Sequence, residues 1–225
     1  MTASAPLPVQ TLRLADDRET EDLAAFLARL IHYDRAAAVR LQAGGGALAV
    51  FGRPPSFEVL AIRTARLGED VELDVTVSAG ELLESLGGAD VTVPAAVTGP
   101  PWAGVLPPRG GWRELPGLPE VAAMHGAVAA AVTEFRTRDE ALPAERRTRA
   151  ERDRIGREIW SRTVGGTGLP LRAVHAAQSL GFLRPGVPVA LLSAGVWLRL
   201  RTPFGSVAVR TGGLGTLSVT PRQAG

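Results

Sequence analysis

Four β-prone runs lie between Ala37 and Val77, and the connections between them are too short for anything but antiparallel pairing. The runs Ala37–Gln42, Ala47–Phe51, Phe57–Leu67 and Val71–Val77 are separated by Gly44-Gly45-Gly46, Arg53-Pro54-Pro55-Ser56 and Gly68-Glu69-Asp70. A parallel crossover would need roughly a dozen residues between strands. A four-stranded meander is therefore predicted. In its last run Val71, Leu73, Val75 and Val77 alternate with Glu72, Asp74 and Thr76, so one face should be core and the other acidic and wet.

Helices should flank this meander. From Asp16 to Tyr33 the residues Leu23, Phe26, Leu27, Leu30 and Ile31 recur at helical spacing behind an acidic start. Ser78-Ala79-Gly80-Glu81 is a capping box that opens a short helix, with Gly87-Gly88 as its stop. A short strand is expected at Val9–Leu14.

Proline crowds the stretch from Pro94 to Pro119, which also carries Trp102 and Trp112. Such density excludes helix interiors and central strands, so the segment reads as an extended linker pinned by its tryptophans. Beyond it, helices are predicted over Pro119–Arg138, Pro143–Val164 and Pro170–Phe182. Strands follow at Val187–Leu192, Val196–Thr202 and Ser206–Arg210, the last two joined through Pro203-Phe204-Gly205. The fold class is α+β: an antiparallel β-meander flanked by helices, then a helical region closed by a β-hairpin. The organisation is a helix-plus-meander region over residues 1–93, a Pro/Trp-rich linker over 94–118 and a three-helix plus hairpin region over 119–225. The sequence leaves open whether the two regions share one sheet.

Several chemistries are excluded by residue types that do not occur. The chain has no Lys, Cys or Asn. It therefore lacks a phosphate-loop lysine, a Schiff-base lysine, a thiolate nucleophile, a cysteine metal site and a disulfide. His32, His125 and His175 are scattered, without a metal-ligand spacing. Ser193 lacks the strand–turn–helix context of a nucleophile elbow. The glycine clusters Gly44–Gly46, Gly165–Gly168 and Gly212–Gly215 match no dinucleotide or phosphate-loop pattern. No catalytic, cofactor-binding or metal-binding residue is expected, and an enzyme is the less favoured class. The N-terminus shows no signal peptide and no apolar run is long enough for a membrane span, so a cytoplasmic protein with no membrane partner is expected.

Charge is unevenly distributed. Residues 1–140 carry 12 Arg against 19 carboxylates, whereas residues 141–225 carry 13 Arg against 4. Within the segment Pro143–Val164, Glu145/Arg149, Arg147/Glu151, Arg149/Asp153, Arg154/Glu158 and Glu158/Arg162 lie four apart, where opposite charges meet on a helix. The segment thus predicts a self-neutralising, solvated helix. The alternative is a basic surface for nucleic acid or an acidic protein, with Arg149, Arg152, Arg172, Arg199, Arg201 and Arg210 as its contacts. The helix–helix–helix–hairpin order is also that of a winged helix, in which the third helix enters a groove and the hairpin touches phosphates.

Three stretches, FGRPPSFEVLAIRTARL at Phe51–Leu67, EIWSRTV at Glu158–Val164 and LPLRAVHAAQSLGFL at Leu169–Leu183, resemble an uncharacterised protein family of high-GC actinobacteria. The resemblance implies a bacterial cytoplasmic protein and assigns no role to any residue. Three functional expectations result. The first is a non-enzymatic interaction or scaffold protein that self-associates as a homo-oligomer, in the simplest case a homodimer, through its opposite-sign halves. The second is a nucleic-acid-binding protein using the arginine-rich C-terminal half. The third is a small-ligand protein or enzyme with a pocket between sheet and helices.

Overall fold

A computed structural model describes residues 10–211. Val9, Gly212–Gly215 and Arg222 lie outside the described residues. The strands are β1 (Thr11–Arg13), β2 (Ala38–Gly44), β3 (Ala47–Gly52), β4 (Leu60–Arg66), β5 (Leu73–Ser78), β6 (Leu86–Gly87), β7 (Asp90–Thr92), β8 (Arg113–Leu115), β9 (Ala190–Ala194), β10 (Trp197–Thr202) and β11 (Gly205–Arg210). The helices are α1 (Asp17–Tyr33), α2 (Ala79–Glu84), α3 (Val121–Glu140), α4 (Arg149–Trp160) and α5 (Leu171–Ser179). The predicted α+β class, antiparallel sheet and C-terminal hairpin are present, but the meander holds only for β2-β3-β4: β5 crosses over to pair with β2 instead of β4.

One eight-stranded sheet runs through both halves of the chain in the order β5-β2-β3-β4-β11-β10-β9-β8. All its pairs are antiparallel. Its seam is the β4–β11 pair, where Ile62 faces Ser206, Ala61 faces Val207 and Leu60 faces Ala208. The C-terminal hairpin is therefore not an exposed wing. It is hydrogen-bonded to β9 on one side and β4 on the other. Nor is α5 a free recognition helix, because Leu171, Ala173, Val174, Ala176 and Ala177 are buried.

The inner face of the sheet carries Leu41, Val50, Ala61, Val77, Leu198, Leu200 and Val207, packed with α1, α3 and α5 into the main core. The outer face has a second, smaller core of Phe51, Leu60, Ile62, Trp197 and Ala208. The proline-rich segment covers it, packing Trp102, Leu106 and Trp112 against those residues. It starts near one sheet edge, where Val97 N–H donates to the Thr76 carbonyl at 2.9 Å. It passes through a 3-10 turn at Pro101–Gly104 and ends as β8, paired with β9 at the other edge. The segment is a strap across the one sheet that both halves of the chain build. The expected wet face of β5 is correspondingly altered: Thr76 is buried, and Asp74 accepts from Arg40 Nε at 2.7 Å. Burial from Leu60 to Arg63 is continuous because both faces of β4 are covered.

Other differences are local. The arginine-rich helix starts at Arg149, not Pro143, because the Thr148 hydroxyl caps it by accepting from Glu151 N–H at 3.2 Å. Thr148-Arg149-Ala150-Glu151 is itself a capping-box pattern, and it marks the observed start. The residues before it form a 3-10 turn, Ala144–Arg146, so Glu145 and Arg147 are off the helix. Arg147 instead donates to the Glu140 and Leu142 carbonyls at 2.7 and 3.1 Å, closing the end of α3. Gly88, at φ 59, turns a small hairpin between β6 and β7, and β1 joins it to make a three-stranded sheet. Among the described residues no helix is long and apolar enough to cross a membrane.

Candidate functional site

Arg138 of α3, Arg152 and Arg154 of α4 and Arg162 just beyond it are engaged by carboxylates of the same helix pair. Glu134 accepts from Arg162 at 2.5 and 2.7 Å and from Arg138 at 3.3 Å. Arg138 also donates two bonds to Glu158, at 2.7 and 2.8 Å. Arg154 pairs with Glu151 at 2.7 Å, and Arg152 with Asp139 at 2.7 Å. The hydrogen bonds from Arg162 and Arg138 hold the Glu134 carboxyl down at about 2, and their neighbours Glu151 and Glu158 are lowered by Arg154 and Arg138 in the same way. Arg149 stands apart, with a side chain 96% exposed and Asp153 at 3.8 Å. Of the pairs expected from four-residue spacing, Arg149/Asp153, Arg154/Glu158 and Glu158/Arg162 lie at 3.7–3.8 Å, whereas the shorter bonds run to α3 or between Arg154 and Glu151 three residues apart.

Arg199 and Arg201 alternate with Leu198 and Leu200 on β10, which puts them on the outer face with Trp197. Arg199 Nε donates to Ser206 Oγ at 2.8 Å and its guanidinium lies 5.6 Å from the Trp112 ring centre. Burial, with Arg201 nearby, pushes its pKa down. It also lines a cavity of about 180 Å³ beneath Pro107 and Pro108.

A different set of arginines meets at one end of the sheet. Arg53 follows β3, Arg172 lies in the first turn of α5 and Arg210 ends β11. The three line one cavity of about 460 Å³. Its apolar walls include Leu60 and Trp197 from the sheet and Trp102 and Val105 from the strap. None of the three has a carboxylate within ion-pair distance among the described residues, and Glu58 is the only carboxylate lining the cavity. Arg210 lies 5.9 Å from the Trp197 ring centre. Arg172 Nε is buried with no hydrogen-bond partner, a state that costs free energy unless an acceptor arrives.

The loop that carries Arg53 is strained. Ser56 and Glu58 are the non-glycine residues with positive φ among the described residues, at 69° and 51°. Each such residue costs on the order of 1–3 kcal/mol and persists where the surroundings enforce it. Beyond Glu58 and Arg172 lies a second cavity, about 590 Å³, lined by Ser56, Arg152, Arg157 and Trp160 among others. Behind it His175 stacks on Trp160, with ring centres 4.5 Å apart, and meets the edge of Phe57 at 5.0 Å. Burial lowers the His175 pKa, so the ring is held neutral. His125 lines a separate cavity beside Pro185–Pro188. No group of three or more His, Asp or Glu among the described residues is placed to hold a metal. Ser193 sits within β9, opposite Leu198 and Arg113.

Of the arginines singled out from sequence, the structure brings Arg172 and Arg210 to one cavity and Arg152 and Arg172 to the other. It keeps Arg149 apart and places Arg199 and Arg201 on the strapped face. Sequence reasoning missed Arg53, Glu58 and Trp197 as wall residues. The stretches Phe51–Leu67, Glu158–Val164 and Leu169–Leu183 converge here, through Arg53 and Glu58, Trp160 and Ser161, and Arg172.

Residues 7–104 match a domain of unknown function, DUF8010, and residues 107–214 match another, DUF8185. The boundary between the two matches falls within the strap. No curated protein matches the sequence. Among solved structures, the H. pylori beta clamp in complex with 5-chloroisatin is similar at a TM-score of 0.48, with 9% sequence identity. That likeness covers 95% of this chain and 67% of the clamp chain.

Proposed function

We propose that the protein is a non-enzymatic interaction protein that recognises an anionic partner at the cavity between Arg53, Arg172 and Arg210. The observation that carries this reading is the contrast between two sets of arginines. Arg152 and Arg154 of α4 are neutralised by neighbouring carboxylates, whereas these three converge without a salt bridge on an apolar, tryptophan-lined hollow. Unpaired cations beside apolar surface are what a bound anion with an apolar part would complement. Self-association through opposite-sign halves draws less support, because the basic helix pairs with its own neighbours. The nucleic-acid reading shares Arg172 and Arg210 and adds Arg149, Arg152, Arg199 and Arg201, and a titration separates the two.

The test is fluorescence anisotropy with a labelled acidic peptide, single-stranded RNA and duplex DNA at ~50 and ~200 mM salt. Binding should weaken with salt, and combined Arg53→Gln, Arg172→Gln and Arg210→Gln should abolish it while Arg149→Gln leaves it intact. A salt dependence near 10³-fold, the magnitude of about six phosphate contacts, with RNA or DNA alone would favour the nucleic-acid reading. Failure of every anion to bind at low salt would sink the proposal.

A further inference from the structure

We infer that the ligand of the Arg53–Arg172–Arg210 cavity is a small phosphomonoester attached to a planar aromatic body; this rests on the anion-binding reading above and narrows it. Charge is the first argument. Three guanidiniums and the single carboxylate of Glu58 line the cavity, leaving two net positive charges. A phosphomonoester carries between one and a half and two negative charges near neutral pH, whereas a carboxylate or a backbone phosphodiester carries one. Guanidinium forks also match phosphate oxygens in paired hydrogen bonds.

The walls supply the second argument. A sugar phosphate or inorganic phosphate would leave the exposed Val105 and the half-buried Trp102 uncovered. Trp197 comes from the sheet and Trp102 from the strap, so an aromatic ring can lie against indoles of two separate elements. The volume of about 460 Å³ is that of a small-molecule site. Ser56 and Glu58, both at positive φ, lie in the loop that presents Arg53 and the one acidic wall residue.

Isothermal titration calorimetry with adenosine 5′-monophosphate, phenyl phosphate, adenosine and ribose 5-phosphate tests this, with tryptophan fluorescence as a second readout. Adenosine 5′-monophosphate, phenyl phosphate or both should bind, with adenosine and ribose 5-phosphate each weaker by at least about tenfold. Tighter binding of the nucleotide would identify a nucleotide source, and tighter binding of phenyl phosphate a phosphoaryl group. Arg172→Gln with Arg210→Gln should remove the gain from phosphate. Trp102→Leu should remove only the gain from the ring, with unchanged melting temperatures showing that both variants fold. Ribose 5-phosphate binding as tightly as the nucleotide would overturn the inference. So would silence of all four compounds while the labelled acidic peptide still binds through the same arginines, a result that leaves the broader reading standing. If the peptide fails as well, both fall.

Discussion

Arg63 Nη2, on the core face of β4, donates to Asp22 Oδ2 of α1 at 3.0 Å, and Arg63 is only 6% exposed. The same nitrogen reaches Glu19 Oε2 at 3.3 Å, while Nη1 donates to the Pro203 carbonyl at 3.3 Å. One guanidinium thus ties α1 to the β10–β11 turn across the β4–β11 seam. Removing one partner of a buried pair strands the other's charge and costs about 3–5 kcal/mol. Arg63→Ala should therefore lower stability by about 3 kcal/mol, read from the urea unfolding midpoint. Asp22→Asn should cost less, because Glu19 and Pro203 still engage the guanidinium. Equal losses in the two variants would contradict this arrangement.

Acid should loosen the α3–α4 pair. The Glu134 pKa is lowered to about 2, so its contribution is fully present above the ordinary carboxylate value of 4.5 and is lost as pH falls towards about 2. Glu134→Gln should be less stable than the parent at pH 7 and indistinguishable from it near pH 2. Chemical denaturation across that range checks the convergence.

His175 gives a second, separate pH dependence. Burial between Trp160 and Phe57 lowers its pKa, so the unfolded chain takes up a proton more readily than the folded one. Stability contributed by the neutral ring is present above about 6.5 and declines as pH falls below it. NMR titration should place the imidazole midpoint below 6.5. His175→Phe should keep the stacking and flatten the stability profile in that window.

Gly205 allows the β10–β11 turn to close against the core. Its φ is 149°, and a Cβ there would lie 2.5 Å from the Phe182 ring. Gly205→Ala should cost roughly 2 kcal/mol or more, through backbone strain and overpacking together. Gly88, at φ 59 with open space around it, meets only the backbone penalty, and Gly88→Ala should cost about 1 kcal/mol. Thermal unfolding of the two variants should show the larger drop for Gly205→Ala.

Local pattern made most elements legible. The β2-β3-β4 meander was readable because its turns are two and seven residues long. The pairing of β5 with β2 instead of β4 was not, because a short connection does not by itself choose the neighbour. Helix α1 was readable from a stripe at helical spacing behind the Asp16 cap, whose side chain accepts from Glu19 N–H at 3.0 Å. Arg172 and Arg210 were recognisable as unpaired cations late in the chain. Arg53 and Trp197 were not, because nothing near them in sequence tells which distant walls they will meet.

What the sequence by itself determined is therefore local: antiparallel hairpins, capped amphipathic helices and a segment barred by proline from helix. Only the tertiary structure decided the β4–β11 seam, the path of the strap over the outer face and the meeting of Arg53, Arg172 and Arg210. The reason is physical. Turn chemistry and side-chain periodicity act over a few residues, whereas pairing Ile62 with Ser206 closes a long loop whose reward is burial shared by every apolar strand alike. A strand covered on both faces, such as Leu60–Arg63, carries no mark of what covers it. The cavity exists only where those non-local choices intersect.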